Sequence, residues 1–448
     1  MTHVFHRHCL HSIPKVVKGE GVYLFDNEGK RYLDACGGAA VSNLGHNHLA
    51  VKQAMYDQID SIPFAHTGFF TSEPSERLAQ RLCSLAPGPL NHAYFVSGGS
   101  EAVESAIKMA RQYFVEIGQS QRCKLITRRQ SYHGNTLGAL GAGGNQWRRK
   151  QFEPLLSDVH FISPCYPYRD RRSDESEQAY SVRLAEEFEQ TIQEIGSDKV
   201  MAFIAEPIVG ATAGAVCASK NYFSLIRKIC DKYGILLILD EVMCGVGRSG
   251  TFFAFEQENV VPDLVTIAKG LGAGYQPIGA VIANDKIYNA IRDGSGFFQH
   301  GHTFMAHPVA CAAALATVNT IINEGVLDRV QQQGEKLKQM LVSALSHLSY
   351  VGDIRGKGLF IGIELVADKI SQAPLPISSQ AHLAIKSTAM ELGLMCYPIA
   401  GTIDGQKGHH ILLAPPFIIQ DMELQELVEK LVATLNVVSK QWETNTHE

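Results

Sequence analysis

Two apolar runs constrain the fold of this chain more than any other feature: VMAFIAEP, residues 200–207, and GILLILDE, residues 234–241. Neither alternates between apolar and polar positions. Each therefore reads as a strand covered on both faces, the habit of a parallel sheet. Between them, KNYFSLIRKICDKYG (220–234) is an amphipathic helix closed by Gly234. Strand, helix and strand at this spacing form a βαβ unit, so an α/β architecture is expected.

The same texture extends to both sides. EPSERLAQRLCSLA (73–86) and EAVESAIKMARQYFVEIG (101–118) read as helices, and HAYFVS, CKLITRR and PDLVTIA read as strands. Near the amino terminus, GVYLFDNEGKRYLDACGG (21–38) reads as a hairpin turning at DNEG. After about residue 325 the pattern shifts. A long helix, LDRVQQQGEKLKQMLVSALSHLS, precedes a second glycine-punctuated hairpin, VGDIRGKGLFIGIELV, and a last helix, QDMELQELVEKLVATLNVVSK. A chain of 448 residues exceeds one simple core. We expect a large α/β domain over 62–325. A smaller α+β domain would be built from both chain ends, 1–61 and 326–448.

Bulk properties exclude several classes of function. The formal charge of −5 offers no basic surface to nucleic acid. No apolar stretch reaches the roughly 20 residues of a membrane span, and the first residues carry no signal-peptide h-region. Ten cysteines stand singly with no CxxC pair, which argues against a zinc or redox site and fits a cytoplasmic protein. His3, His6, His8 and His11 lack cysteine or carboxylate partners and read as a solvated arm, and WETNTHE as a frayed end. No metal is expected.

The candidate chemistry lies at the ends of the strands. Asp240 follows a buried strand, at the sheet edge where ligands of α/β proteins bind, and a carboxylate there needs a partner. In FVSGGSEAVES, two glycines and Ser100 open a helix whose free N–H groups suit a phosphate, although an ordinary helix cap has the same pattern. Tyr132 and His133, in SYHG, sit at a loop edge where an aromatic face can stack on a planar ligand. Lys269 ends PDLVTIA and precedes Gly270, Gly272 and Gly274. A lysine in a dry pocket can lose its proton and condense with an aldehyde. A phosphate site, a buried aspartate, an aromatic face and a pocket lysine together are what pyridoxal phosphate requires. A competing pattern, GVGRSG (245–250), satisfies GxGxxG and would suit a nicotinamide oxidoreductase, but no convincing helix follows it.

Over nearly its whole length the chain resembles the class III aminotransferases of pyridoxal-phosphate fold type I, the aspartate-aminotransferase-like architecture. The resemblance rests on Asp240-Glu241-Val242, Gly247-Arg248-Ser249-Gly250, Pro262-Asp263 and Lys269-Gly270-Leu271, with SGGSEA, SYHG, AEP and GHTFMAHPVACAAALA in the family's order. It implies that Lys269 forms the internal aldimine and then shuttles the proton, and that Asp240 pairs with the pyridine nitrogen. Val242 and Tyr132 would flank the ring, Gly99 and Ser100 would hold the phosphate, and His133 and Glu206 would lie beside the cofactor. Thr303 would reach the phosphate in a neighbouring subunit, implying a homodimer or a dimer of dimers.

The departures narrow the substrate. Family members acting on ornithine or 4-aminobutyrate read EP-I-x-x-E, whereas AEPIVGATAG places Ala211 at the second glutamate. This resembles the branch using amines or ω-amino acids with pyruvate, by a ping-pong mechanism. The loop AGTIDGQKGHHILLAPPF holds no arginine for a substrate carboxylate. Lys407 could replace it, aided by His409 or His410. Decarboxylase, aminomutase and racemase members share the ring-holding motifs.

Overall fold

The computed structural model describes residues 3–10 and 12–444. His11 and the last four residues of WETNTHE lie outside the described residues, while His3 and His8 are exposed. At the centre is a seven-stranded sheet in the order Leu90–Val96, Gly279–Asn284, Leu264–Ile267, Leu236–Asp240, Val200–Ala205, Lys124–Arg128 and His160–Ile162. Neighbours pair in parallel, except that Gly279–Asn284 runs antiparallel to both strands beside it. The fold is that of a mostly parallel α/β sheet.

The unbroken apolar runs are explained by what covers them. Every residue of Val200–Ala205 and of Leu236–Asp240 is buried. Leu236 and Ile238 face a core with Val103, Ala106 and Phe114 of the helix Gly99–Glu116. Leu237 and Leu239 face the opposite core with Tyr222, Phe223 and Ile226 of the helix Tyr222–Tyr233. Each such side chain contributes about 1.5–3 kcal/mol by leaving water, so both faces hold the strand in register. Gly234, with φ 64°, ends the second helix in the left-handed conformation that glycine adopts at least cost.

Among the described residues three smaller sheets accompany the central one, the first only the short antiparallel pair Ile208–Val209 and Val216–Cys217. Val16–Glu20, Tyr23–Asp26 and Arg31–Asp34 form a second with Leu394–Met395, so this sheet draws strands from both chain ends. The third joins Val351–Lys357, Phe360–Asp368, His409–Leu413 and Tyr397–Ala400, with Ala373–Pro374 on the strand Phe360–Asp368. The helices Val326–Leu345 and Asp421–Thr444 pack together beside it. Val16–Glu20 carries no apolar alternation and is mostly exposed, so nothing in its residues marked it as a strand.

The GxGxxG reading of GVGRSG is corrected here. Residues 245–250 fold as successive turns, and the next element is the short 3-10 helix Ala254–Glu258, not the α-helix a dinucleotide site requires. Arg248 is instead fully buried. It donates to Leu359 O at 2.9 Å, Pro415 O at 2.6 Å and Asn43 Oδ1 at 3.1 Å, joining the central sheet to both chain ends.

Candidate active site

Five loops leave the same edge of the central sheet, following Val96, Arg128, Ala205, Asp240 and Ile267. All five strands run the same way, four by direct parallel pairing and the one ending at Val96 across the intervening antiparallel strand, so their carboxyl ends come together. Gly99, Ser100, Tyr132, His133, Glu206, Asp240, Val242 and Lys269 lie on these loops or at the helix start that follows one of them.

Asp240 is 3% exposed. Its Oδ2 lies 2.7 Å from His133 Nδ1, and its Oδ1 accepts from Val242 N at 3.0 Å and Thr266 Oγ1 at 3.2 Å. The partner that a buried carboxylate demands is thus His133, and the nearby arginine of GVGRSG does not serve. Side chains alternate through DEV. Glu241 turns to the interior, where its carboxylate accepts from Ala254 N and Phe255 N at 2.7 Å each, and burial raises its pKa to about 8. Val242 returns to the cleft and abuts the helix start. A Cβ on Gly99 would lie 2.7 Å from Val242 Cγ1, so only glycine allows that approach.

The helix Gly99–Glu116 begins at this contact, and its first N–H groups have no acceptor within the helix. Ser100 Oγ donates to Asn135 Oδ1 at 2.7 Å and accepts from Asn135 N at 3.1 Å, tying the helix start to the SYHG loop. In that loop, Tyr132 N donates to Glu206 Oε2 at 3.2 Å. Glu206 Oε1 accepts from Gly210 N at 3.1 Å, and burial raises the carboxyl's pKa.

Lys269 donates from Nζ to Ala39 O at 3.1 Å. Burial lowers its pKa to about 8, against the opposing pull of Asp240 and Glu206 and with the help of Arg148. Its backbone has φ 47°, a left-handed conformation that costs a non-glycine residue about 1–3 kcal/mol. Such an outlier points to a position whose side-chain direction matters more than local comfort. The arrangement offers an amine that is readily neutral, a buried carboxylate with a fixed partner, and a helix start suited to an anion.

Other predicted residues lie apart. Thr303 is exposed, on the loop before the helix Pro308–Asn323. Lys407 is exposed in a turn closed by Asp404 Oδ1, which accepts from Lys407 N at 2.7 Å. His409 and His410 do not line an open cleft. Both are buried in their strand, and burial lowers their pKa values to about 4 and 3, so they are neutral. Sequence reasoning missed Arg148, Gln130, Asn135 and the carbonyl of Ala39, because each acts through a contact distant in sequence. Among these only Arg148 left a trace, as a cation in QWRRK soon after SYHG.

Comparison with known proteins agrees with this geometry. The family model "Aminotransferase class-III" matches residues 5–435. An uncharacterised aminotransferase of Schizosaccharomyces pombe is 42% identical, over 97% of this chain and 95% of its own. The putrescine–pyruvate aminotransferase of Pseudomonas aeruginosa is 34% identical, over 92% and 88%. The crystal structure of an amine transaminase from an uncultivated Pseudomonas species, in its PLP-bound form, superposes with a TM-score of 0.90 at 33% identity, covering 97% of this chain and 99% of that one.

Proposed function

We propose, from the premise that the chain belongs to the class III aminotransferases and uses pyridoxal phosphate, that it moves an amino group from an amine or ω-amino acid to a 2-oxo acid. Pyruvate is the acceptor favoured, and the two half-reactions follow a ping-pong course. The observation that carries this reading is the Lys269 amine, lowered to about 8 and placed at the sheet edge beside Asp240. A group that can both take and give a proton near neutral pH is what a 1,3-proton transfer needs.

The residues present fit the cofactor. Bound pyridoxal phosphate supplies an aldehyde and a ring that accepts electron density. Gly99 and Ser100 would hold its phosphate at the helix start, where N–H groups and dipole favour an anion. Asp240 would hold a proton on the ring nitrogen, and His133, at 2.7 Å, orients that carboxylate. Val242 and Tyr132 would enclose the ring, with Glu206 fixing the Tyr132 backbone. Lys269 holds and moves the proton at Nζ, and its shelter from water makes that nitrogen far easier to free of its proton than a solvated lysine's.

Ala211, buried where a glutamate gate would stand, supports amine or ω-amino acid donors. The likeness to a putrescine–pyruvate aminotransferase supports pyruvate. A homodimer is supported by Phe69, Phe70 and Phe304, large apolar groups 81%, 68% and 58% exposed, the last beside Thr303. Ten unpaired cysteines support a reducing, cytoplasmic location. The test is to mix the holoenzyme with a panel of amines and watch its visible band, then add pyruvate. Loss of the band with a donor, its return with pyruvate and stoichiometric alanine establish the reaction. Amine conversion that needs no 2-oxo acid overturns it.

A further inference from the structure

A 2-oxo acid brings a carboxylate into a cleft that already holds Asp240 and Glu206. A third negative charge there is costly unless a cation receives it. Lys269 cannot be that cation, because its amine has to be free for chemistry. We propose that Arg148 receives the substrate carboxylate. This deepens the transaminase reading and rests on it.

Four observations carry the assignment. The guanidinium of Arg148 lies over the Tyr132 ring, 4.5 Å from its centroid, with Trp147 on another side at 5.9 Å. Tyr132 belongs to the loop that also supplies His133 to Asp240, so the cation rests on the ring of a residue that the transaminase reading sets beside the cofactor. Second, the neighbouring arginine behaves differently. Arg149 is buried and donates to Leu140 O, Gly141 O and Gly143 O at 3.1, 2.6 and 2.9 Å, a structural role. Arg148 is only partly buried, and among the described residues no carboxylate pairs with it and no acceptor takes its guanidinium protons.

Third, the scaffold beneath it is fixed. Arg148 N donates to Asn145 Oδ1 at 3.3 Å, Asn145 Nδ2 donates to Gln130 Oε1 at 3.1 Å, and Gln130 Nε2 donates to Gly401 O at 2.7 Å and Thr402 O at 2.9 Å. Gly405 of the same carboxyl-terminal loop sits so close to Trp147 N that a Cβ would come within 2.9 Å. Fourth, Arg148 is the positive charge felt at the Lys269 amine. That of Arg7, on the exposed amino-terminal arm, acts on Tyr132. A planar guanidinium held on an aromatic face offers two parallel N–H donors to a carboxylate, which an ammonium cannot match.

The carboxylate could be that of the 2-oxo acid acceptor or the distal one of an ω-amino acid donor, and the two half-reactions separate them. Arg148→Gln, Arg148→Lys and Lys407→Gln holoenzymes are compared with the parent, with the visible band and melting temperature checking cofactor retention and folding. Calorimetry with butyrate, and with uncharged butyramide as control, reads carboxylate binding without turnover. For Arg148→Gln, a rise in the butyrate Kd of about 10- to 100-fold is expected, the loss of a charge-assisted hydrogen bond, with the butyramide signal unmoved. The preference for pyruvate over an aldehyde acceptor should fall by a similar factor, with Arg148→Lys between and Lys407→Gln like the parent. Equal loss for carboxylate and carboxylate-free ligands, no change in the butyrate Kd, or a larger effect of Lys407→Gln overturns the assignment. Failure of the parent enzyme to transaminate any amine strikes the transaminase reading, whereas the butyrate arm still decides the site.

Discussion

Lys269 provides the sharpest test of the active-site reading, in the protein freed of cofactor. Its amine titrates at about 8 against an ordinary 10.5, chiefly because burial disfavours the ammonium. That difference corresponds to about 3 kcal/mol in favour of the neutral form. At pH 7 about a tenth of the Lys269 amines are then neutral, against roughly 0.03% of a solvated lysine, an advantage of about 300-fold. Competitive acetylation of the apoenzyme with trace acetic anhydride between pH 6 and 11, read by peptide mass spectrometry, gives the midpoint directly. The expected midpoint is near 8. Asp240→Asn should move it down, since that carboxylate favours the ammonium, and Arg148→Gln should move it up. The sign carries over to stability. The folded pKa is depressed, so between about 8 and 10.5 the unfolded chain binds more protons, and this group makes the apoenzyme more stable as pH rises through that window. A midpoint at or above 10, or labelling of Lys269 no faster than that of surface lysines at pH 7, refutes the placement of this amine in a dry pocket.

Three further outcomes are expected. His133→Phe removes the 2.7 Å partner of a buried carboxylate and should cost about 1–3 kcal/mol in denaturant unfolding, together with weaker retention of the cofactor by dialysis. Gly270→Ala would put a Cβ 2.1 Å from Asn43 Nδ2, displacing the amide that bonds Val246 O and Arg248; a loss of about 1–3 kcal/mol is expected in thermal unfolding, and an unchanged transition would contradict the contact. Gln130→Ala frees the carbonyls of Gly401 and Thr402, so hydrogen exchange across 401–408 should quicken at least about tenfold while that of the central sheet stays put.

The hydrophobic pattern determined the central strands and their helices, because burial on two faces leaves an unbroken apolar run that few other structures tolerate. It likewise marked Asp240, Tyr132 and Lys269, each standing where an apolar run or a glycine turn makes a polar side chain conspicuous. The left-handed backbone at Lys269, the choice of His133 as the partner of Asp240 and the role of Arg248 as an anchor left no such mark. The last two arise from contacts between residues a hundred or more positions apart, and sequence order says nothing of those distances. Arg148 and Arg149 show the difference most plainly. Side by side in QWRRK they are chemically identical, and only the tertiary structure decides between them. The turn of a short helix buries one guanidinium against three carbonyls and leaves the other over the ring of Tyr132, with no carboxylate paired to it among the described residues.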